Sequence, residues 1–411
     1  MARVMLLVPT SSYRAPDFME AASQLDVQVV VASDRRQTLE AVVPGRTLAV
    51  DFSSPEHGAG QIVAFADRYP LETIVPVDDA GTVLAARAAE LLDLPHNPVD
   101  AVRATRDKHL LRGRLAAAGV PSPPYRLVPL DADPRSVADE LPYPCVVKPL
   151  SLSGSRGVIR ANRPDEFCAA LARIRALLEQ PEVAGECEGV ARAVLVEGYI
   201  PGDEVALEGL LTDGRLEVLA LFDKPDPLVG PFFEETIYVT PSRLPAATQR
   251  LIAATAEHAA AALGLRNGPL HAELRINDEG AWPVDIAARS IGGLCSRTLS
   301  FGTGMSLEEL ILRHALGFEI PSTNREASAS GVMMIPIPAR GVLRDVHGVS
   351  EAEAVPGIVD VTISILRGQP VVPLPEGSEY LGFIFARGDS PEFVEQALRR
   401  AHVKLRFDIE P

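Results

Sequence analysis

The stretch Leu270-His271-Ala272-Glu273-Leu274-Arg275-Ile276, then Asn277-Asp278-Glu279-Gly280-Ala281, then Trp282-Pro283-Val284-Asp285-Ile286-Ala287 reads as two strands joined by a turn. With the loop over residues 277–281, Ile276 pairs with Trp282 and the alternation sets the register. Ala272, Leu274, Ile276, Trp282, Val284 and Ile286 then share an apolar face. The opposite face carries His271, Glu273, Arg275, Asp285 and Ala287, with Glu273 across from Asp285 at about 4.5–5.5 Å between Cβ atoms. Directly opposed carboxylates repel. Relief comes from protonating one, from a bridging Arg275 or Arg289, or from a divalent cation between them. Mg2+ takes one or two protein carboxylates and completes its shell with water and nucleotide phosphate, so the pair suits a nucleotide–metal site. A solvated hairpin face laced with arginine salt bridges is the plainer alternative.

Outward from this hairpin, residues 246–263 form an Ala-rich helix, and residues 193–197, 204–211 and 216–222 form strands, the last two joined by Asp213-Gly214. This part is antiparallel. Further upstream a strand at 145–148 enters the loop Ser151-Leu152-Ser153-Gly154-Ser155-Arg156-Gly157-Val158, followed by a helix over 164–178 and a loop over 181–189. Before it, strands at 4–8, 27–32, 48–52 and 73–77 alternate with helices at 55–69 and 80–92, the pattern of a parallel α/β domain. Asn97-Pro98 then opens one helix over 100–118. Beyond a helix at 306–316, residues 327–411 read as a small α+β cap with a helix at 391–401. The expected fold class is α/β plus α+β, with domains at 1–97, 98–190, 191–325 and 326–411.

The chain has 411 residues, 47% of them hydrophobic and 23% charged, which suits an ordinary folded protein of several domains. A formal charge of -16 argues against a general nucleic-acid or anionic-membrane binder. No apolar run approaches the roughly 18 residues that span a bilayer, and no signal peptide or anchor is read. Cys145, Cys168, Cys187 and Cys295 form no CxxC pair, and a reducing cytoplasm is the expected setting.

Lysine stands at only four positions, Lys108, Lys148, Lys224 and Lys404, while every other basic residue is arginine. A compact ammonium retained at a few places fits phosphate sites; GC-rich codon drift is the alternative. None of the four follows a glycine, which excludes a P-loop, and no GxGxxG follows residues 4–8, which disfavours a dehydrogenase. The loop Ser153-Gly154-Ser155-Arg156-Gly157, five residues after Lys148, can offer backbone N–H groups and hydroxyls to an anion.

Taken in order, Lys108, Lys148, this loop, Glu197-Gly198-Tyr199-Ile200-Pro201-Gly202-Asp203-Glu204, Glu273, Asp285 and Arg289 resemble the ATP-grasp superfamily over about residues 1–320. The resemblance implies an α/β domain followed by two α+β lobes gripping ATP. It implies phosphate contacts from Lys108 and Lys148, and a flap over them from Ser153, Gly154, Ser155 and Gly157. Glu197, Tyr199 and Ile200 fall on its adenine hinge, and Glu204 on its ribose acid. Glu273 and Asp285 would hold Mg2+, as two ions and with Mn2+ as a substitute, while Arg289 would be catalytic, neutralising the transferred phosphoryl group. Ala287 stands where many members carry an Asn ligand. That departure, with Asp285 to Arg289 followed by Gly292-Gly293, resembles the L-amino acid ligase branch. So do Val355-Pro356-Gly357-Ile358, Arg367-Gly368-Gln369-Pro370 and Tyr380-Leu381-Gly382-Phe383-Ile384.

That branch implies substrate contacts from His271, Gly292 and Gly293, and from Lys224 and Phe232 to Glu235. His271 bonded within its sheet and Phe232-Phe233 as a core pair are the structural alternatives. The implied reaction is ATP-dependent ligation of a carboxylate to an amine through an acyl phosphate, with amino acids as substrates and a homodimer as the assembly. Another ATP-grasp ligase or carboxylase of the purine-pathway kind, or a non-catalytic ATP-binding regulator, is the alternative.

Overall fold

The computed structural model describes residues 2–10, 12–36, 45–181, 183 and 192–411. Most of the loop expected at 181–189, including Cys187, and the expected domain boundary at 190–191 lie outside these residues.

The β-branched runs near the amino terminus form a parallel sheet in the order Thr47–Ala49, Gln28–Ser33, Arg3–Leu7, Thr73–Pro76. Val4, Met5, Leu6 and Leu7 are fully buried, as expected for a parallel strand covered on both faces. Helices Pro55–Ala66 and Thr82–Leu91 cover one face. The helix Ala15–Gln24, absent from the sequence reading, packs Phe18, Ala21 and Ala22 into the core that also contains Leu307, Leu310 and Ile311.

The single helix expected over 100–118 is two helices, Val99–Arg106 and Lys108–Ala117. Asp107 between them is extended, and its carboxylate accepts hydrogen bonds from the N–H groups of His109 and Leu110 as an N-cap. Lys108 therefore starts a helix.

The next lobe is an antiparallel sheet, Tyr125–Pro129, Ala193–Gly198, Cys145–Pro149, Ile159–Ala161. Helix Pro164–Leu178 buries Phe167, Leu171 and Ile174 against it. The largest sheet has eight strands, all antiparallel: Gly280–Ala287, Gly268–Asn277, Asp203–Thr212, Arg215–Asp223, Ile237–Thr240, Ala329–Ile335, Gly382–Gly388, Ile358–Ile363. It runs unbroken across residue 325, so the carboxy-terminal portion and the second lobe share one sheet. Helix Ala246–Leu263 stacks Ile252, Ala256 and Leu263 on one face and stops at Gly264, whose φ of 85° is the left-handed cap glycine favours.

The hairpin differs from its sequence reading at the tip. Asn277 pairs with Gly280, leaving a two-residue turn, and Ile276 faces Ala281 rather than Trp282. Trp282 thereby moves opposite Arg275, off the apolar face, and its indole N–H donates to Asn277. The register shifts again at Val284, just after Pro283, which has no N–H to give a ladder. The two one-residue shifts cancel, and Glu273 faces Asp285 as the alternation predicts.

Candidate functional site

A cavity of about 1560 Å³ opens where the parallel domain, the first lobe and the large sheet meet. Its wall includes Lys108, Lys148, Glu273, Asp285 and Arg289, which the topology gathers from five separate elements or loops.

At one end, cations share carboxylates. Lys148 Nζ lies 2.6 Å from Glu197 Oε2, and Arg112 Nε donates to Glu197 Oε1 at 2.7 Å. Burial opposes ionisation of Glu197, but Arg112 and Lys148 outweigh it and hold the carboxyl down to about 2. Arg289 Nη2 donates to Asp79 Oδ2 at 2.7 Å, while Arg106 Nη1 stands 3.3 Å from Asp79 Oδ1. Asp79 is held ionised against its burial by these two arginines. Lys108 Nζ donates to the Leu152 carbonyl at 2.6 Å, and burial together with the neighbouring Lys148 and Arg106 lowers its proton affinity. Ammonium groups with a surplus of charge, at a helix start, are what an oligophosphate needs.

At the other end, carboxylates share a cation. Oxygens of Glu204, Glu235 and Glu273 lie within 4.8 Å of one another. Lys224 Nζ stands among them, 2.8 Å from Glu204, bonded to Glu235 and 3.6 Å from Glu273. Lys224, expected to face substrate, is therefore under the cavity wall, and its ammonium already fills the centre of this cluster. Glu204, expected at a ribose, has its second oxygen on Arg275 Nε at 2.9 Å. Neither arginine bridges Glu273 and Asp285, because Arg275 is spent on Glu204 and the carbonyls of Ile200 and Leu228, and Arg289 on Asp79. Burial and the Glu273 charge push Glu235 above the usual carboxylate range.

His271 lines the cavity and is bonded within its sheet as well. Its Nδ1 is 3.2 Å from Glu208 Oε2, and its Nε2 is 3.5 Å from Glu273. Burial would lower its pKa, but the two glutamates raise it to about 9. Glu208 Oε2 also accepts from the Ile291 N–H at 3.0 Å, just before Gly292 and Gly293, which line the same wall.

Between the two ends lies an apolar slot of Val146, Val158, Tyr199 and Phe233. Tyr199 and Phe233 stack at 6.5 Å, and Arg275 caps both rings. Phe233 and Glu235 face the cavity, whereas Phe232 packs into the first-lobe core under Arg173. Tyr199, Ile200 and Glu197 line the slot, but the N–H groups of Gly198 and Tyr199 are already donated to Pro124 and Pro144. Ser153, Gly154 and Ser155 overhang the cavity. Gly157 does not line it: its φ is 73°, a Cβ there would meet Pro149 at 2.6 Å, and its N–H donates to Pro375.

Sequence reasoning missed Asp79, Arg106, Arg112 and Glu208. A clue existed for Glu208, a lone acid inside the apolar run 205–211, since a charge buried mid-strand needs a partner. The others become visible only when distant segments meet.

For a metal, Glu273 and Asp285 are hard oxygen donors on the cavity wall that suit Mg2+, with Glu273 also 3.6 Å from Lys224 and 3.5 Å from His271, while Glu204 and Glu235 are bonded to Lys224 directly.

The chain matches the ATP-grasp N-terminal domain over residues 19–96, the ATP-grasp domain over 141–298 and the L-amino acid ligase C-terminal domain 2 over 333–410. It is 28% identical to an alanine–anticapsin ligase of Bacillus subtilis over 277 residues, which is 64% of this chain and 58% of that ligase's length. It is 29% identical to a formate-dependent phosphoribosylglycinamide formyltransferase of Mycolicibacterium smegmatis, covering 86% of this chain and 85% of that enzyme. The crystal structure of an L-amino acid ligase from Bacillus licheniformis superposes with a TM-score of 0.84 at 25% identity, covering 100% of this chain and 99% of the other. With three domain matches in chain order and this fold over the whole length, the chain belongs to the ATP-grasp ligases.

Proposed function

We propose that the protein joins two L-amino acids at the expense of ATP. The carboxylate of one is phosphorylated, the amine of the second attacks the acyl phosphate, and amide, ADP and phosphate leave. The observation that carries this reading is the convergence, on one cavity, of the cations Lys108, Lys148 and Arg289 with the carboxylates Glu273 and Asp285 beside a slot of base-sized apolar walls.

Such a reaction needs positioning and charge stabilisation rather than a protein nucleophile. The thiol of Cys295 on the wall is pushed up to about 12 by burial and stays protonated. Lys108 and Lys148 take the phosphates, and Arg289 meets charge developing on the transferred group. Glu273 and Asp285 would hold Mg2+, which supplies neutralisation of phosphate charge when bound. The flap of Ser153, Gly154 and Ser155 keeps water from the acyl phosphate.

Amino acids are favoured over a phosphorylated sugar by the wall on the side of the parallel domain. Asp34, Asp51, Asp78 and Glu56 line it, and its Arg103 is paired to Glu56 at 2.6 Å. An ammonium is welcome there and a second phosphate is not. A homodimer belongs to the same proposal.

The test is phosphate release from ATP and Mg2+ across a matrix of paired L-amino acids, with mass spectrometry on positive wells. Release restricted to certain pairs, with a product mass equal to their sum less water, is the expected result. Silence from protein that binds ATP removes the amino-acid reading.

A further inference from the structure

We propose that Asp79, on the parallel domain, is the positioning residue for Arg289. The inference rests on the reading of Arg289 as the group that meets the transferred phosphoryl.

Arg289 follows the strand Gly280–Ala287, yet the side chain that fixes it lies 210 residues away in sequence. Asp79 opens the short turn Asp79–Gly81 after the parallel strand Thr73–Pro76, at the carboxyl end of the sheet where open α/β domains place functional groups. Its Oδ2 accepts from Arg289 Nη2 at 2.7 Å, and both side chains are 14% exposed. The next residue is gripped by the same domain: Arg14, 1% exposed, donates to Ser290 Oγ at 2.7 Å and to the Val77 carbonyl at 2.8 Å. Arg289 Nη1 in turn donates to the Ser290 carbonyl at 2.8 Å. Both the hydroxyl of Ser290 and the guanidinium of Arg289 are thus held from the parallel domain, and the two bonds made by Arg289 leave guanidinium donors over for a ligand.

The other oxygen of Asp79 faces Arg106, whose Nη2 donates to the Ser151 carbonyl at 3.3 Å, next to the carbonyl held by Lys108. One carboxylate therefore sets the spacing between Arg289 and the root of the flap. An arginine with many rotamers stabilises developing charge only when it is held beforehand, so loss of Asp79 should weaken binding of the transferred group and leave binding of the nucleotide itself alone.

The test uses MgADP with and without aluminium fluoride, a mimic of the phosphoryl group in flight, on Asp79→Asn, Asp79→Ala, Arg289→Ala and the double variant Asp79→Ala/Arg289→Ala. Asp79→Asn keeps shape and one acceptor, so it carries the test if Asp79→Ala fails to fold. Expected are MgADP affinities within about twofold of wild type, and fluoride-complex affinities down by about tenfold for Asn and further for Ala. The double variant should bind the complex within about twofold of Arg289→Ala, because Asp79 acts chiefly through Arg289 and reaches the flap root only by its longer 3.3 Å contact with Arg106. Wild-type affinity in both Asp79 variants, or a double variant that loses the product of the single losses, overturns the inference. So does a wild-type protein that gains nothing from the fluoride, since Arg289 then has no phosphoryl to meet. If the Asp79 variants show the expected loss but the wild-type protein releases no phosphate with any amino-acid pair, this inference stands and the amino-acid substrates are removed.

Discussion

Toward the first lobe, Glu197 is shared by Lys148 and Arg112 and Asp79 by Arg289 and Arg106, so cations outnumber the carboxylates that hold them. Toward the large sheet, Lys224 is shared by Glu204, Glu235 and Glu273, Arg275 adds a second charge on Glu204, and His271 adds a third between Glu208 and Glu273, so four carboxylates face three cations. The glutamates answer to these neighbours: Glu197 is held down to about 2 by Arg112 and Lys148, while in the other cluster burial and the Glu273 charge push Glu235 up and Lys224 and His271 hold Glu273 down. Burial raises all three, and a carboxyl falls only where cations outweigh it. A cavity with a cationic surplus at one end and an anionic surplus at the other is arranged for a ligand that is itself divided, with phosphate facing the first and a cation facing the second.

The largest effect expected from breaking this arrangement is at Lys224. Lys224→Met leaves three carboxylates around an apolar side chain and should cost about 3–5 kcal/mol of stability, as for a buried pair that loses one partner. Urea unfolding measures it, and added Mg2+ should recover part of the loss by occupying the vacated centre. A variant as stable as wild type would mean the carboxylates share protons instead, and the anionic surplus would be fictitious.

At the cationic end, Arg289→Ala should lower turnover by about two or more orders of magnitude, with a smaller change in KM for ATP. Phosphate release with a productive substrate pair reads this directly. Wild-type turnover would leave the end as a static ion-pair cluster, with no role in transfer.

How far these ends could be read in advance differs, and the reason is physical. Glu273 opposite Asp285 was legible because a hairpin is local: two strands and a short turn fix which side chains meet, and even two compensating register shifts left the pair intact. Lys108 and Lys148 stood out as rare lysines in an arginine-rich chain. The break at Asp107 was legible in principle, as an N-cap Asp, but a continuous helical periodicity masked it. What was not legible is who neutralises whom. The partners of Arg289 and Arg112 lie 210 and 85 residues away, and no periodicity encodes a contact made only when lobes dock. The setting of Lys224 was hidden for the same cause, since its partners come from three strands or loops.

A pH series sharpens the comparison next. The carboxyl of Glu197 lies near 4.5 when free and about 2 when folded, so its contribution is complete above pH 4.5 and is lost as pH falls through 2. Glu197→Gln should therefore be destabilised on the order of 2–3 kcal/mol near neutrality, with the deficit against wild type shrinking below pH 4.5. Denaturant midpoints from pH 6 down to the acid limit measure it. A deficit that does not change with pH would show that the residue matters by shape alone and not by pairing Lys148 and Arg112.

The smallest effect concerns the flap, which belongs to neither end but decides whether both are closed off together. Its hold in the structure comes from the carboxy-terminal portion: Gly157 N–H donates to the Pro375 carbonyl at 2.8 Å, Arg156 Nε to the Glu376 carbonyl at 2.9 Å, and Arg173 takes the Glu376 carboxylate with two bonds of 2.9 Å. The Arg173–Glu376 pair is partly exposed, worth about 0.2–1 kcal/mol, so Glu376→Ala should speed tryptic cleavage at Arg156 by no more than about fivefold. The two backbone acceptors survive that substitution, which is why the effect is small. ATP with Mg2+ should slow the same cleavage in wild type and variant alike, because nucleotide phosphates add contacts from the cavity side that the variant still has. Equal cleavage with and without nucleotide would mean that residues 375–376 alone fix the loop, and that the cationic end takes its phosphates without a moving lid.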